Sequence, residues 1–174
     1  MAWSGPAGRI EELVEAHYAA LYRYAFRLAG ASAEAEDLTQ ETYCQAQAKL
    51  SQLRDWDKAR SWLYAILRNA YLHKIRSGRT EQPAPPELLQ EIPDREPAPA
   101  PDFTPEQLQQ ALSALPEAYR TPIILYYFED FSYRDIAEHM EAPIGTVMSR
   151  LARAKAFLRN RLAPALAVLR EEGT

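Results

Sequence analysis

Residues 81–103, EQPAPPELLQEIPDREPAPAPDF, set the first limit on the fold. The stretch is rich in Pro and acid, poor in aromatics and without a sustained helical period, so it reads as an extended or largely disordered linker. Proline has no backbone N–H and its ring clashes with a preceding helical turn. With 1 basic and 6 acidic residues between 81 and 104, the segment has too little apolar surface to build a core. A chain of 174 residues interrupted in this way divides into two small domains, 1–80 and 105–174, joined by a flexible acidic linker over 81–104.

Both flanks carry helical periods, and neither sustains strand alternation. In 9–29, Ile10, Leu13, Val14, His17, Leu21, Ala25 and Leu28 recur at helical spacing, with Gly30 as a stop. His17 reads as a packed or edge histidine, because no second His or Cys stands near it at ligand spacing. A second helix is predicted from an N-cap at Ser32 to about residue 50, with Ala35, Leu38, Thr42 and Ala46 inward and strongly acidic early turns. After the polar SQLRDWD, Asp57 could cap a third helix over 58–77, with Trp62, Leu63, Ile66, Ala70 and Ile75 as its core and Gly78 as its end. Beyond the linker, helices are predicted over 105–115, with Leu108, Ala111, Leu112 and Leu115 inward, and over 119–128. The run IILYYF at 123–128 could be a strand in isolation, but it is flanked by helical patterns and has no partner run. The fold class is therefore all-α.

The segment 132–161, SYRDIAEHMEAPIGTVMSRLARAKAFLRNR, reads as helix, tight turn and second helix. Ser132 and Asp135 have the spacing of a capping box, which starts a short helix with Ile136, Ala137 and Met140 on its apolar face. Pro143 interrupts it, and Gly145-Thr146 opens the next helix with Thr146 as a plausible N-cap. Val147, Leu151, Ala154, Leu158 and Leu162 give that helix a stripe to bury. At about 100° per residue, Thr146, Ser149, Arg150 and Arg153 lie on a different face, free to touch a partner. Hydroxyl and guanidinium groups suit the major groove, where Arg can pair bidentately with guanine and both types can hold phosphate oxygens. From Ile144 to Leu162 no residue is acidic. A solvated cationic helix in an ordinary bundle is the competing reading of the pattern alone.

The net charge is −4, unusual for a protein that binds DNA unaided. The acidity sits in the middle: 1–80 holds 11 basic and 9 acidic residues, and 105–174 holds 8 and 9. Cys44 is the only cysteine, which excludes an internal disulfide and a cysteine-rich zinc site and reads as a small half-buried thiol. His17, His73 and His139 are scattered, and there is neither a Gly-rich phosphate loop nor a nucleophile elbow, so no enzyme activity, metal or cofactor is expected. The start of the chain lacks a signal-peptide core and no run approaches the roughly 18 apolar residues of a membrane span, so a cytoplasmic protein without membrane insertion is expected.

The third helix interleaves Arg60, Arg68, Lys74, Arg76 and Arg79 with Trp56, Trp62, Tyr64 and Tyr71. Cations for phosphates and aromatic planes for unstacked bases are what single-stranded nucleic acid needs, although core packing is the stronger reading of each aromatic taken alone. Four blocks, AEDLTQETY (35–43), RSWLYAILRNAYLHKIR (60–76), LPEAYRTPIILYYFEDFSYRDIAEHM (115–140) and APIGTVMSRLARAK (142–155), stand in an order and spacing that resembles bacterial RNA polymerase sigma factors of the extracytoplasmic function group. The resemblance covers nearly all of the chain outside the extreme N-terminus and the linker.

What the resemblance implies can be placed residue by residue. The first block resembles the segment that docks on the clamp coiled coil of core RNA polymerase, which assigns Asp37, Gln40 and Glu41 to that contact. The second resembles the segment that opens promoter DNA and reads its −10 element, which assigns Arg60, Trp62, Asn69, His73 and Arg76. The preceding loop, 51–57, would help accept a base turned out of the duplex. The helix-turn-helix resembles the reader of the −35 element, with Thr146, Ser149, Arg150 and Arg153 facing bases and backbone and Lys155 and Arg120 restricted to phosphates. The family relation also implies an anti-sigma factor as a partner, and a linker whose acids mimic nucleic acid in a cationic channel of the polymerase. Three positions depart from the common pattern. His73 stands where many relatives have an acid, Met148 where many have a basic residue, and Cys44 with Gln47 replaces bulkier apolar or aromatic residues.

Two other classes compete with a promoter-directing initiation factor. A stand-alone dimeric helix-turn-helix regulator would leave the EDLTQE block and the Trp/Arg third helix without a task. A sigma-mimicking interaction protein should lack the basic reading face.

Overall fold

The computed structural model describes the backbone of residues 6–78, 85–88 and 102–171, and the side chains there except those of 6–8, 87 and 164–171. The described residues are helical with no strand, and IILYYF lies within a helix. The chain divides into two compact units, Met1–Glu81 and Gln82–Thr174.

The first unit is built from α1 (Pro6–Ala29), α2 (Ser32–Ala48) and α3 (Ala59–Gly78), all three in mutual contact. Helix α1 ends where Gly30, at φ 81°, donates its N–H to the Phe26 carbonyl at 2.7 Å, a left-handed turn that favours glycine. The next helix starts one residue earlier than Ser32 suggested. Ala31 is extended and its carbonyl takes the Ala35 N–H at 3.0 Å, so Ala31 is the N-cap without a side-chain bond and Ser32 is already helical. Ala35, Leu38, Thr42 and Ala46 are buried as expected, and so is Thr39. Each buried threonine donates its hydroxyl to the carbonyl four residues back, Thr39 to Ala35 and Thr42 to Leu38 at 2.7 Å, which removes the cost of burying an unpaired oxygen. Cys44 is exposed rather than half-buried.

Two one-turn 3₁₀ helices, Leu50–Gln52 and Trp56–Lys58, fill the polar connection. Asp55 rather than Asp57 is the cap: its Oδ1 accepts the Asp57 N–H at 3.0 Å, which places Asp57 inside the short turn that leads into α3. The buried face of α3 is also rotated from the predicted one. Leu63, Tyr64, Ile66, Leu67 and Tyr71 are buried, whereas Trp62, Ala70 and Ile75 are only half-buried. Aromatic pairing fixes this phase. The Tyr64 ring stacks on Tyr24 of α1 at 4.8 Å between centroids, and the Tyr71 hydroxyl donates to the Leu28 carbonyl at 3.1 Å, so both phenols are in the core and neither is available to a base. On the rim, the partly buried Tyr43 donates to the Leu13 carbonyl at 3.3 Å, and burial pushes its phenol up to about 12.

The second unit contains α4 (Pro105–Ser113), α5 (Glu117–Phe128), α6 (Tyr133–Met140) and α7 (Ile144–Glu171), with α7 packed on the other three. Thr104 and Gln107 close a reciprocal capping box on α4, at 2.8 and 3.2 Å. Ala111, Leu112 and Leu115 are buried, while Leu108 is half-buried. Ser132 and Asp135 form the box predicted for α6, with the Asp135 N–H donated to Ser132 at 3.1 Å. That helix ends at Glu141, whose φ of 50° is left-handed, and the Ala142 N–H returns to the Ala137 carbonyl at 3.0 Å.

Thr146 is not the cap of α7. The Pro143 carbonyl accepts from Thr146 and Val147 at 3.0 and 3.1 Å, so the helix begins at Ile144 and Thr146 lies in its first turn. Of the predicted stripe, Val147, Leu151, Ala154 and Leu162 are buried, and Phe157 takes the place given to the half-buried Leu158. Most of the predicted linker lies outside the described residues. Within it, Pro86–Leu88 make one 3₁₀ turn whose Leu88 is fully buried and which packs on α7, so this part is neither extended nor free.

Candidate nucleic-acid interface

In the first unit, α2 and α3 border a groove of about 550 Å³. Asp37, Leu38, Glu41 and Gln45 line it from α2, and Asn69, Ala70, His73, Lys74 and Ser77 from α3. It brings together two of the predicted docking residues, Asp37 and Glu41, and two of the predicted −10 residues, Asn69 and His73. Glu41 accepts from Gln45 Nε2 at 2.7 Å, which orients its carboxylate along the rim. Gln40 is exposed on α2 but is not part of the lining.

The five −10 residues do not share one face. At about 100° per residue, Trp62, Asn69, His73 and Arg76 fall within a narrow arc beside the buried side of α3, with His73 next to the buried Ile66. Asn69, His73 and Arg76 are exposed and Trp62 is half-buried. Arg60 falls on the core side. Its guanidinium lies 5.2 Å from the centre of the Tyr64 ring, and its charge, after burial itself, holds His17 below the usual histidine value. The loop ahead of α3 exposes Ser51, Gln52, Arg54 and Asp55 while Leu53 is buried, and Arg9 of α1 covers the half-buried Trp56 ring at 5.3 Å.

In the second unit, Thr146, Ser149, Arg150 and Arg153 lie in the first three turns of α7 and Lys155 at the start of the fourth, outside the buried stripe. Ser149 and Lys155 are exposed, and the other three are half-buried. Arg120 is engaged elsewhere. Its Nε and Nη2 donate to the Leu115 carbonyl at 3.1 and 2.6 Å, and Nη2 also to the Ser113 carbonyl at 3.1 Å, so it clamps the turn between α4 and α5. Near the predicted reading residues two apolar side chains stand in solvent, Ile144 and Met148, exposed by 48 % and 50 %; the sequence marked Met148 only as a missing basic residue. Among the described residues no cluster of His, Cys, Asp or Glu could hold a metal ion, and no helix is long and apolar enough to cross a membrane.

The Sigma-70 region 2 family model matches residues 13–81, and the Sigma-70, region 4 model matches residues 105–158. The ECF RNA polymerase sigma factor SigL of Mycobacterium tuberculosis (strain H37Rv) is 34% identical over 166 residues, which is 91% of this chain and 91% of that protein. The ECF RNA polymerase sigma factor SigE of Mycolicibacterium smegmatis is 34% identical over 158 residues, 88% of this chain, and the chain spans 61% of that relative's length. Among solved structures, the sigma factor RpoE of Bartonella quintana, crystallised with the anti-sigma factor NepR, aligns with a TM-score of 0.70 and 27% identity over 88% of this chain and 96% of that one. With both region models in order along one chain and a relative matched over nine-tenths of each sequence, the chain belongs to the ECF sigma factors of RNA polymerase.

Proposed function

We propose that this protein directs core RNA polymerase to specific promoters and assists strand opening at initiation. The observation that carries the reading is the presence, in one chain, of a region 2 unit whose half-buried Trp62 shares an arc with the exposed Asn69, His73 and Arg76, and a region 4 unit with a hydroxyl and guanidinium face on α7. In this reading residues 1–80 dock on core polymerase through Asp37, Gln40 and Glu41 and hold the unpaired −10 strand. Residues 105–174 anchor the −35 element through Thr146, Ser149, Arg150 and Arg153, with Lys155 on phosphate. Arg60 and Arg120 act by positioning, the first against Tyr64 and the second on the α4–α5 turn. The protein contributes binding energy rather than bond chemistry, and it works in the cytoplasm where the polymerase is.

The net charge of −4 supports a factor that binds DNA weakly alone, because counterion release scales with the phosphates neutralised and the polymerase would supply most of those contacts. An anti-sigma factor is the expected antagonist, by analogy with the Bartonella complex. Purified protein added to core polymerase should give transcripts from candidate promoters only when both are present. A dimer that binds DNA tightly without core, and no core-dependent transcript, would favour the stand-alone regulator instead.

A further inference from the structure

We propose that Ile144 and Met148 form an apolar reading edge on α7 that selects thymine methyl groups in the upstream promoter element. The inference rests on the function proposed above and concerns residues outside the polar reading set. The large apolar side chains of the second unit are mostly buried, yet these two are 48 % and 50 % exposed. They stand four residues apart in the first turns of α7, so their side chains are neighbours on the helix surface.

The phase of α7 places this pair next to the polar readers. Val147, Leu151 and Ala154 are buried and fix the core side. Around the free arc, at about 100° per residue, come first Ile144 and Met148, then the small residues Gly145, Ser149 and Ala152, and then Thr146, Arg150 and Arg153. An apolar edge and a cationic edge therefore bracket a low strip. A Cβ added at Gly145 would meet nothing within 4 Å, so the protein itself does not fill the space in front of that strip.

A helix entering the major groove by its N-terminal turns presents such residues to base edges. The thymine C5-methyl is the one apolar group on the groove floor, and it is bound by apolar side chains. Met148, unbranched and polarizable, can follow the methyl across small changes in register, and the stiffer Ile144 limits the approach. Met148 directly adjoins Ser149, and no acidic side chain between Ile144 and Leu162 would repel the phosphates, so continuity with the polar face points to DNA rather than to a protein partner.

The test uses holoenzyme assembled from the full chain and core polymerase. An upstream element is selected from a randomised pool above a fixed downstream element, and each thymine in it is then replaced singly by deoxyuridine, which deletes only the methyl. Wild-type holoenzyme should lose about three- to tenfold in affinity at one or two thymines, the range expected for losing one buried methyl group. Met148→Ala should abolish that sensitivity at those positions alone, and Met148→Leu should keep most of it. A selected element without thymine, or deoxyuridine effects that Met148→Ala leaves intact, overturns the proposal while core-dependent transcription upholds the sigma reading. Failure to select any upstream element overturns the assignment of α7 as reader, and this inference with it.

Discussion

Helices α3 and α7 look alike on paper, each a run of cations among apolar residues, yet the structure uses them in opposite ways. In α3 the aromatic and cationic residues that suggest nucleic-acid contact are partly drawn into the core. Tyr64 stacks on Tyr24, Tyr71 bonds to the Leu28 carbonyl, and Arg60 lies against Tyr64. In α7 the buried side is aliphatic apart from Phe157, Ser149 and Lys155 are exposed, and Arg150 and Arg153 are half-buried outside the core stripe. Composition therefore says less than angular phase. A residue type suited to DNA counts as a reader only when the core leaves it outside.

The largest effect expected from this contrast is structural. Tyr64→Ala should destabilise the first unit by about 3–5 kcal/mol, the usual loss for a large buried aromatic, and Trp62→Ala should cost far less stability while impairing strand opening. Chemical denaturation of the full chain, read by tyrosine and tryptophan fluorescence, measures the first. Permanganate reactivity of unpaired thymines in the open complex measures the second. If Tyr64→Ala unfolds nothing and instead weakens melting, the division of α3 into a core side and a reading side is wrong.

Arginines give the next step down. Arg120→Ala should cost about 1.5–3 kcal/mol in stability, because it strips a charged donor from the Leu115 and Ser113 carbonyls. Arg150→Ala and Arg153→Ala should each cost about 1–3 kcal/mol in upstream-element binding and leave the denaturation midpoint nearly unchanged. A reversed pattern, with Arg120→Ala losing only DNA affinity, would restore the phosphate role that the sequence suggested for it.

Smaller still is the strain at the turn between α6 and α7. Glu141 occupies a left-handed conformation at φ 50°, where a Cβ is unfavourable, so Glu141→Gly should stabilise the second unit by about 1 kcal/mol. A thermal scan of the full chain should show a rise in its midpoint, and a fall would mean that the Glu141 side chain makes a compensating contact.

How far the sequence could be read follows the same division. Helices were legible wherever apolar residues recurred on one phase, and the Ser132–Asp135 box was legible because its spacing is short and local. The Thr104–Gln107 box carried the same kind of signal, T-x-x-Q before an apolar period, and could have been found. The phase of α3 was not legible, because it has apolar or aromatic residues on nearly every side and only the pairing with Tyr24 across the bundle selects among them. Leu88 has no period to announce it. A leucine pair in a proline-rich run, Leu88-Leu89, looks solvated, and only the packing of the turn on α7 shows that Leu88 is covered. On α7 the sequence pointed to a polar face and noted Met148 only as a missing basic residue, and neither Met148 nor Ile144 was expected as an exposed apolar pair, since an apolar residue in a helix is ordinarily assigned to the core.

The gentlest probe of the core side of α3 is pH. Burial, and then the nearby charge of Arg60, hold the His17 value below its ordinary 6.5, so the folded protein binds that proton less readily than the unfolded chain. The His17 contribution to stability is therefore fully present above about pH 6.5 and declines as pH falls from there toward the depressed folded value. Denaturation of wild type and His17→Gln across pH 5–8 should show the two curves diverging on the acid side, with wild type losing more. Arg60→Gln should shrink the divergence by removing the repulsion, with burial remaining. If it leaves the divergence unchanged, the Arg60 guanidinium is not held near His17 in solution, and burial alone lowers the His17 value.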